Sequence, residues 1–203
     1  MIKKIETKLG YSQEDTDNLS QLNPPLNSNW DKPPNDKIKE LKRRIRNDLL
    51  NNQKNTCAYC GLDLGGTSEG QIEHIAPKAK YPEFTFEKEN LAMACHYCNG
   101  FSKKGNYDTI EHKNYIYQNC SFKLVHPYFD DPIEHYGWVA NDKKVIIKAL
   151  SDKGKYSIEM LKLDAPLMTI LRGKKIIADI VISTTDTPQI DDNLINSVLN
   201  YKS

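Results

Sequence analysis

Two cysteine pairs, Cys57-Ala58-Tyr59-Cys60 and Cys95-His96-Tyr97-Cys98, have the spacing most suited to chemistry in this 203-residue chain. Each pair lets one turn present two thiolates to a tetrahedral ion at about 2.3 Å, and two pairs complete a closed, all-thiolate zinc site. One CxxC alone reads equally as a redox pair; two in a chain that shows no secretory signal favour structural zinc. With four ligands in place such an ion activates no water. It ties residues 57–60 to residues 95–98 and closes the 34 residues between them into a loop. The fifth cysteine, Cys120, reads as a buried apolar filler, and His96, inside the second pair, as a bystander.

The contents of that loop decide the chemistry. Glu73 and His74 stand together, Asn90 precedes the apolar run Leu91–Ala94, and Asn99 follows the last cysteine. An imidazole of ordinary pKa, roughly 6.5, accepts a proton from water at neutral pH. Glu73 and Asn99 supply hard oxygen ligands, which suit Mg²⁺ or Mn²⁺ held by few protein groups. Neighbouring strand residues face opposite ways, so Glu73 and His74 serve one site only where the strand bends or ends, as Pro77 allows. Lys103, four residues beyond Asn99 and about 40° around a continuing helix, would reach the same substrate; a solvated lysine is the plain alternative.

The positioning elements follow from pattern. Ile72 and Ile75 flank the Glu-His pair and Leu91–Ala94 forms a second apolar run, so two strands followed by a helix from Cys98 give a small ββα unit. Upstream, Ile38, Leu41, Ile45 and Leu49 recur at helical spacing, and the other faces of that helix carry Lys42, Arg43, Arg44 and Arg46. These four read either as a phosphate-contacting face or as an ordinary solvated one. Residues 1–36 form a Pro- and Asn-rich arm with Trp30 as its apolar anchor. Downstream, residues 107–122 read as weakly helical and two β-rich runs flank Asn141-Asp142 as a hairpin. Residues 154–183 read as helical, with Ser157 as a possible N-cap and Pro166 as a break or a new start; the tail from Thr184 carries no strong signal.

Composition narrows the class. With 38% hydrophobic and 27% charged residues, neither a membrane protein nor a disordered chain fits, and no membrane partner is expected. A cytoplasmic location follows by default. The net charge of +1 excludes bulk polyanion binding, although residues 37–54 hold seven basic against two acidic side chains. His126, Asp130, Asp131 and His135 lack a compact ligand pattern and read as packing and turn residues.

In this order, the paired cysteines, acidic-His, Asn-Leu and Cys-Asn motifs resemble the HNH endonucleases, whose module is a ββα-metal finger often stapled by two CxxC pairs. The resemblance covers about residues 56–105. It implies His74 as general base, Glu73 and Asn99 as ligands of the catalytic divalent ion, and Asn90 as the residue that orients His74 by bonding backbone across the loop. Glu73 departs from the commoner Asp by one methylene. The helix leading into CAYCG, the IEHIAPK run, the LVHPYFDDP connector and the SIEMLKLDAPLMTILRGKK segment are similar to nuclease subunits encoded with retron and Septu-type anti-phage systems, which implies an ABC- or SMC-like ATPase partner. The expectation is therefore an α+β chain: an arm and basic helix (1–55), a zinc-stapled nuclease core (56–106) and a C-terminal partner-binding region (107–203). Its expected activity is metal-dependent hydrolysis of DNA. A non-catalytic zinc-stabilised adaptor and an RNA-directed nuclease are the alternatives.

Overall fold

Three helices precede the cysteine-rich segment: α1 (Gln13–Ser20), α2 (Asn27–Asp31) and α3 (Asp36–Asn52). They are seen in a computed structural model that describes residues 2–22, 25, 27–65, 69–139 and 144–184. Ser12 caps α1 through a reciprocal pair with Asp15, and Asn35 caps α3 by accepting from the Ile38 N–H at 3.0 Å. The α3 stripe forms as its spacing predicts, with Ile38, Leu41, Ile45 and Leu49 all buried. Gln53, at the end of α3, locks the helix to the finger by donating to the Met93 carbonyl at 2.9 Å and accepting from the Met93 N–H at 2.7 Å.

The finger itself is the antiparallel pair β1 (Gln71–His74) and β2 (Leu91–Ala94), followed by the short α4 (His96–Asn99). Register sets Glu73 opposite Ala92 and His74 opposite Leu91. The first cysteine pair turns at Gly61, whose φ of 69° lies in the left-handed region that favours glycine. The helix expected from Cys98 begins instead at His96 and ends at Asn99, because Gly100 is extended (φ −61°, ψ 153°). Lys103 is therefore not on the helix of Asn99, and the helical angle expected between them does not apply.

Residues read as weakly helical pair as β3 (Ile110–His112) and β4 (Ser121–Phe122). The segment has no helical apolar stripe, and its backbone is satisfied across the turn, as where the Lys123 N–H reaches the Thr109 carbonyl at 2.8 Å. After α5 (Pro132–His135), the expected hairpin is β5 (Tyr136–Val139) with β6 (Ile146–Ala149); its tip, with Asn141 and Asp142, lies outside the described residues. The helical region divides into α6 (Asp152–Leu161) and α7 (Pro166–Thr184), so Pro166 is a new start. Ser151, not Ser157, caps α6; Ser157 is buried and accepts from the Val125 N–H at 2.8 Å. The tail beyond residue 184 lies outside the described residues.

The buried apolar residues form one cluster running from Ile5 to Met168, so the arm, finger and C-terminal region share a core. No helix among the described residues is long and apolar enough to cross a membrane.

Candidate active site and zinc clamp

The sulfurs of Cys57, Cys60, Cys95 and Cys98 all lie within 4.8 Å of one another, and the Cys60 and Cys95 sulfurs are 3.9 Å apart. A tetrahedron with Zn–S bonds of about 2.3 Å has edges of about 3.8 Å, so the cage fits zinc. Hydrogen bonds from Cys57, Cys60 and Cys98 push the Cys95 thiol down toward thiolate. Cys120 stays apart from this cage, buried and bonded to the backbone of Asn114. His96 is exposed and outside it. The second suspected cluster is structural: His126 meets the Tyr117 hydroxyl at 3.0 Å, Asp130 pairs with Lys153, Asp131 caps α5 and His135 meets the Ser151 hydroxyl at 2.6 Å.

At the end of β1 a cavity of about 190 Å³ is lined by Ile72, Glu73, His74, Pro77, Lys78 and Asn99, with Gly105 and Asn106. Three residues singled out in the sequence thus share one cavity. The Nε2 of His74 lies 3.0 Å from the Thr85 carbonyl. A carbonyl only accepts, so Nε2 carries the proton and Nδ1 is the basic nitrogen. Trp30, carried on α2, stacks edge-on against the imidazole with ring centroids 4.6 Å apart. Burial pulls the His74 pKa down to about 3, helped by the Lys78 charge, so the ring is neutral throughout the physiological range.

Asn90 explains how the Thr85 carbonyl is held. Its Oδ1 accepts from the Ala76 N–H at 2.6 Å and the Tyr117 hydroxyl at 2.9 Å, while Nδ2 donates to the carbonyls of Phe84 at 2.8 Å and Ala76 at 3.1 Å. One buried amide therefore clamps the residue next to Thr85 to the chain just past His74. The Thr85 hydroxyl is itself buried without a partner among the described residues.

Glu73 is buried, and Lys104 sits against it with Nζ 2.5 Å from Oε1; the Tyr59 hydroxyl is 3.5 Å from the same oxygen. Burial raises the Glu73 pKa, and the Lys104 ammonium counters it. Lys104 also donates to the His74 carbonyl at 2.8 Å. Asn99 donates through Nδ2 to the Gln71 side chain at 2.9 Å, which leaves Oδ1 as its accepting oxygen. A carboxylate and an amide oxygen on one wall fit a hard divalent ion that keeps most of its waters, with Glu73 and Asn99 as the residues that would hold it. The Glu73 charge is, however, already partnered by Lys104.

Other positions lie elsewhere. Lys103 does not line the cavity; its ammonium sits 4.9 Å over the Tyr97 ring. The four α3 cations singled out in the sequence each have a partner within the chain: Lys42 bonds the Trp30 carbonyl at 2.5 Å, Arg43 pairs with Glu40 and Arg44 with buried Asp15, and Arg46 donates to the Gly70 carbonyl at 2.7 Å. Lys104 and the Thr85 carbonyl escaped the sequence reading. Nothing in Lys103-Lys104 tells which lysine turns inward, and a backbone carbonyl carries no residue-type signal.

Residues 57–107 match the family model described as HNH endonuclease. The chain is 29% identical over 139 residues to the Septu protein PtuB of Bacillus thuringiensis, covering 68% of this chain and 44% of that protein. It is 29% identical over 150 residues to the Septu protein PtuB of Bacillus mycoides strain KBAB4, covering 64% and 50%. It is 32% identical over 91 residues to protein ea31 of Escherichia phage lambda, covering 45% and 27%. The matches thus span half or less of each relative's length.

Proposed function

With residues 57–107 an HNH endonuclease module in a chain similar to Septu proteins, we propose that it hydrolyses DNA phosphodiester bonds as the nuclease of an anti-phage defence system. The observation that carries this reading is the shared cavity of Glu73, His74 and Asn99, with His74 fixed through Nε2. A phosphodiester is cut by an activated water, a positive charge against the phosphate oxygens and fixed geometry. His74 takes the water's proton on Nδ1, which burial keeps unprotonated and whose low pKa the negative charge of a bound phosphate would raise, while Thr85 and Trp30 hold the ring. Asn90 acts through Thr85 as a positioning residue. Glu73 and Asn99 would hold Mg²⁺ or Mn²⁺, which supplies charge neutralisation at the phosphate and the leaving oxygen. Lys78, on the same wall and paired with Asp31 at 2.7 Å, adds a cation beside the phosphate. The four cysteines hold zinc, which keeps both halves of this cavity together.

The proposal extends to an ABC- or SMC-like ATPase partner that restrains or directs cutting, on the strength of the Septu relatives. The test is direct. Purified protein with Mn²⁺ or Mg²⁺, with and without its ATPase partner, should nick or linearise plasmid DNA. His74→Gln should abolish cutting while zinc content and melting temperature stay close to wild type. Cutting by His74→Gln at the wild-type rate would refute the assignment. A wild type silent toward DNA and RNA under all these conditions would identify a zinc-stabilised adaptor instead.

A further inference from the structure

The segment between Asn99 and Asn106 is the rim of the cavity, since Asn99, Gly105 and Asn106 all line it. Phe101 lies on that rim with 89% of its surface exposed, and Tyr107, the residue after Asn106, is 57% exposed. Phe101 is two residues from Asn99, and so no more than about 7.6 Å away between Cα atoms. Single exposed rings are ordinary on a protein surface, as Tyr115 at 97% shows; what sets Phe101 and Tyr107 apart is that they flank the segment that lines the cavity.

Residues 100–107 contain no acidic side chain, and Lys103 lies over the Tyr97 ring. The Tyr97 hydroxyl reaches the Lys162 carbonyl at 3.4 Å. Lys162 then lines an open groove of about 330 Å³ together with Ser102, Tyr107, Tyr156, Met160 and one acidic residue, Glu159. The segment thus carries Phe101, Lys103 and Tyr107 within eight residues of the cavity-lining Asn99. Bases stack on aromatic faces whatever their sequence, and lysines follow the backbone.

Resting on the nuclease reading above, we propose that Phe101 and Tyr107 form a stacking platform for unpaired bases, so that the chain engages nucleic acid with single-stranded character beside the cut. A closed duplex offers its base faces only at its ends, whereas splayed or single-stranded nucleotides offer a face to each ring. The rings bind and position substrate; they take no part in proton transfer.

Fluorescence anisotropy of the full chain with labelled oligonucleotides, in buffer free of divalent ions, tests this independently of cutting. The probes are a single-stranded DNA, a single-stranded RNA of the same sequence and the duplex DNA. Phe101→Ala and Tyr107→Ala should each weaken single-strand binding about five-fold or more, and duplex binding should change less than two-fold, with about the latter as the assay's resolution. Phe101→Trp and Tyr107→Phe should retain wild-type affinity, and both rings are exposed enough that the alanine proteins should melt as wild type does. The tighter of the DNA and RNA probes identifies the source of the bases. Unchanged single-strand binding, equal losses on duplex, or no binding of either single strand by wild type would overturn the platform. Loss of the platform alone would leave His74-dependent cutting in place, whereas failure of the nuclease reading would show in the cutting assay.

Discussion

The interaction in this chain whose removal has the largest calculable consequence is the buried pair of Lys104 and Glu73. Their side chains are 1% and 5% exposed and 2.5 Å apart. Lys104→Met keeps length and apolar stem but leaves an unpaired carboxylate in the core and frees the His74 carbonyl. Breaking such a pair costs about 3–5 kcal/mol. For a chain of this size each kcal/mol is worth about 2–4 °C in melting temperature, so the variant should melt about 6–20 °C lower. The sign with pH is fixed by Glu73, whose folded pKa is already raised by burial and rises further without the ammonium. The penalty is present while Glu73 is ionised and is relieved as pH falls and the folded carboxyl takes up a proton. The deficit should therefore shrink as pH falls from neutral toward the ordinary carboxyl value of 4.5, at which the unfolded chain also takes up the proton. Adding Glu73→Gln to Lys104→Met should recover a large part of the loss, since no buried charge then remains. Differential scanning calorimetry at matched zinc content measures all of this. A drop below about 2 °C, or one independent of pH, would refute the account of the pair.

The remaining expectations concern single sites. Cys57→Ser should lose stoichiometric zinc and unfold the finger with it, read by metal analysis and circular dichroism, because binding and folding are coupled in such modules. His74 stays neutral in the folded chain to about pH 3, whereas the unfolded chain takes up that proton near 6.5. Stability should thus fall on acidification below about 6.5, by as much as about 1.4 kcal/mol per pH unit from this residue; a His74→Gln protein with the wild-type acid slope would contradict this. Thr85→Val removes a buried hydroxyl that has no partner among the described residues and keeps the carbonyl that anchors His74. It should raise the melting temperature by a few degrees with cutting unchanged, and a loss of stability would show that the hydroxyl is satisfied. Arg44→Glu should lower melting through the stranded Asp15 carboxylate, whose pKa the Arg44 guanidinium holds down at about 2, while Arg43→Glu, on an exposed face, should not. Equal melting of the two would place Arg44 on the same footing as a solvated cation.

What the sequence determined by itself was chemistry that depends on residue type and local spacing. Two CxxC pairs define a tetrahedral thiolate cage whatever the surrounding fold. The α3 stripe follows from 3.6-residue periodicity and an interruption at Pro166 from its fixed φ, while the fold decided that Pro166 starts a new helix. Glu73, His74 and Asn99 were legible because imidazole and hard oxygens in that order suit hydrolysis, and the closed loop brings them to one cavity. Only the tertiary structure decided which charges are free. Lys104 and not Lys103 turns inward, the α3 cations are matched to Asp15, Glu40 and backbone carbonyls, and Trp30 reaches from the arm to the imidazole. The physical reason is that a side chain's charge and pKa depend on what packs around it, and those partners lie up to 44 residues away in the chain, as Trp30 does from His74.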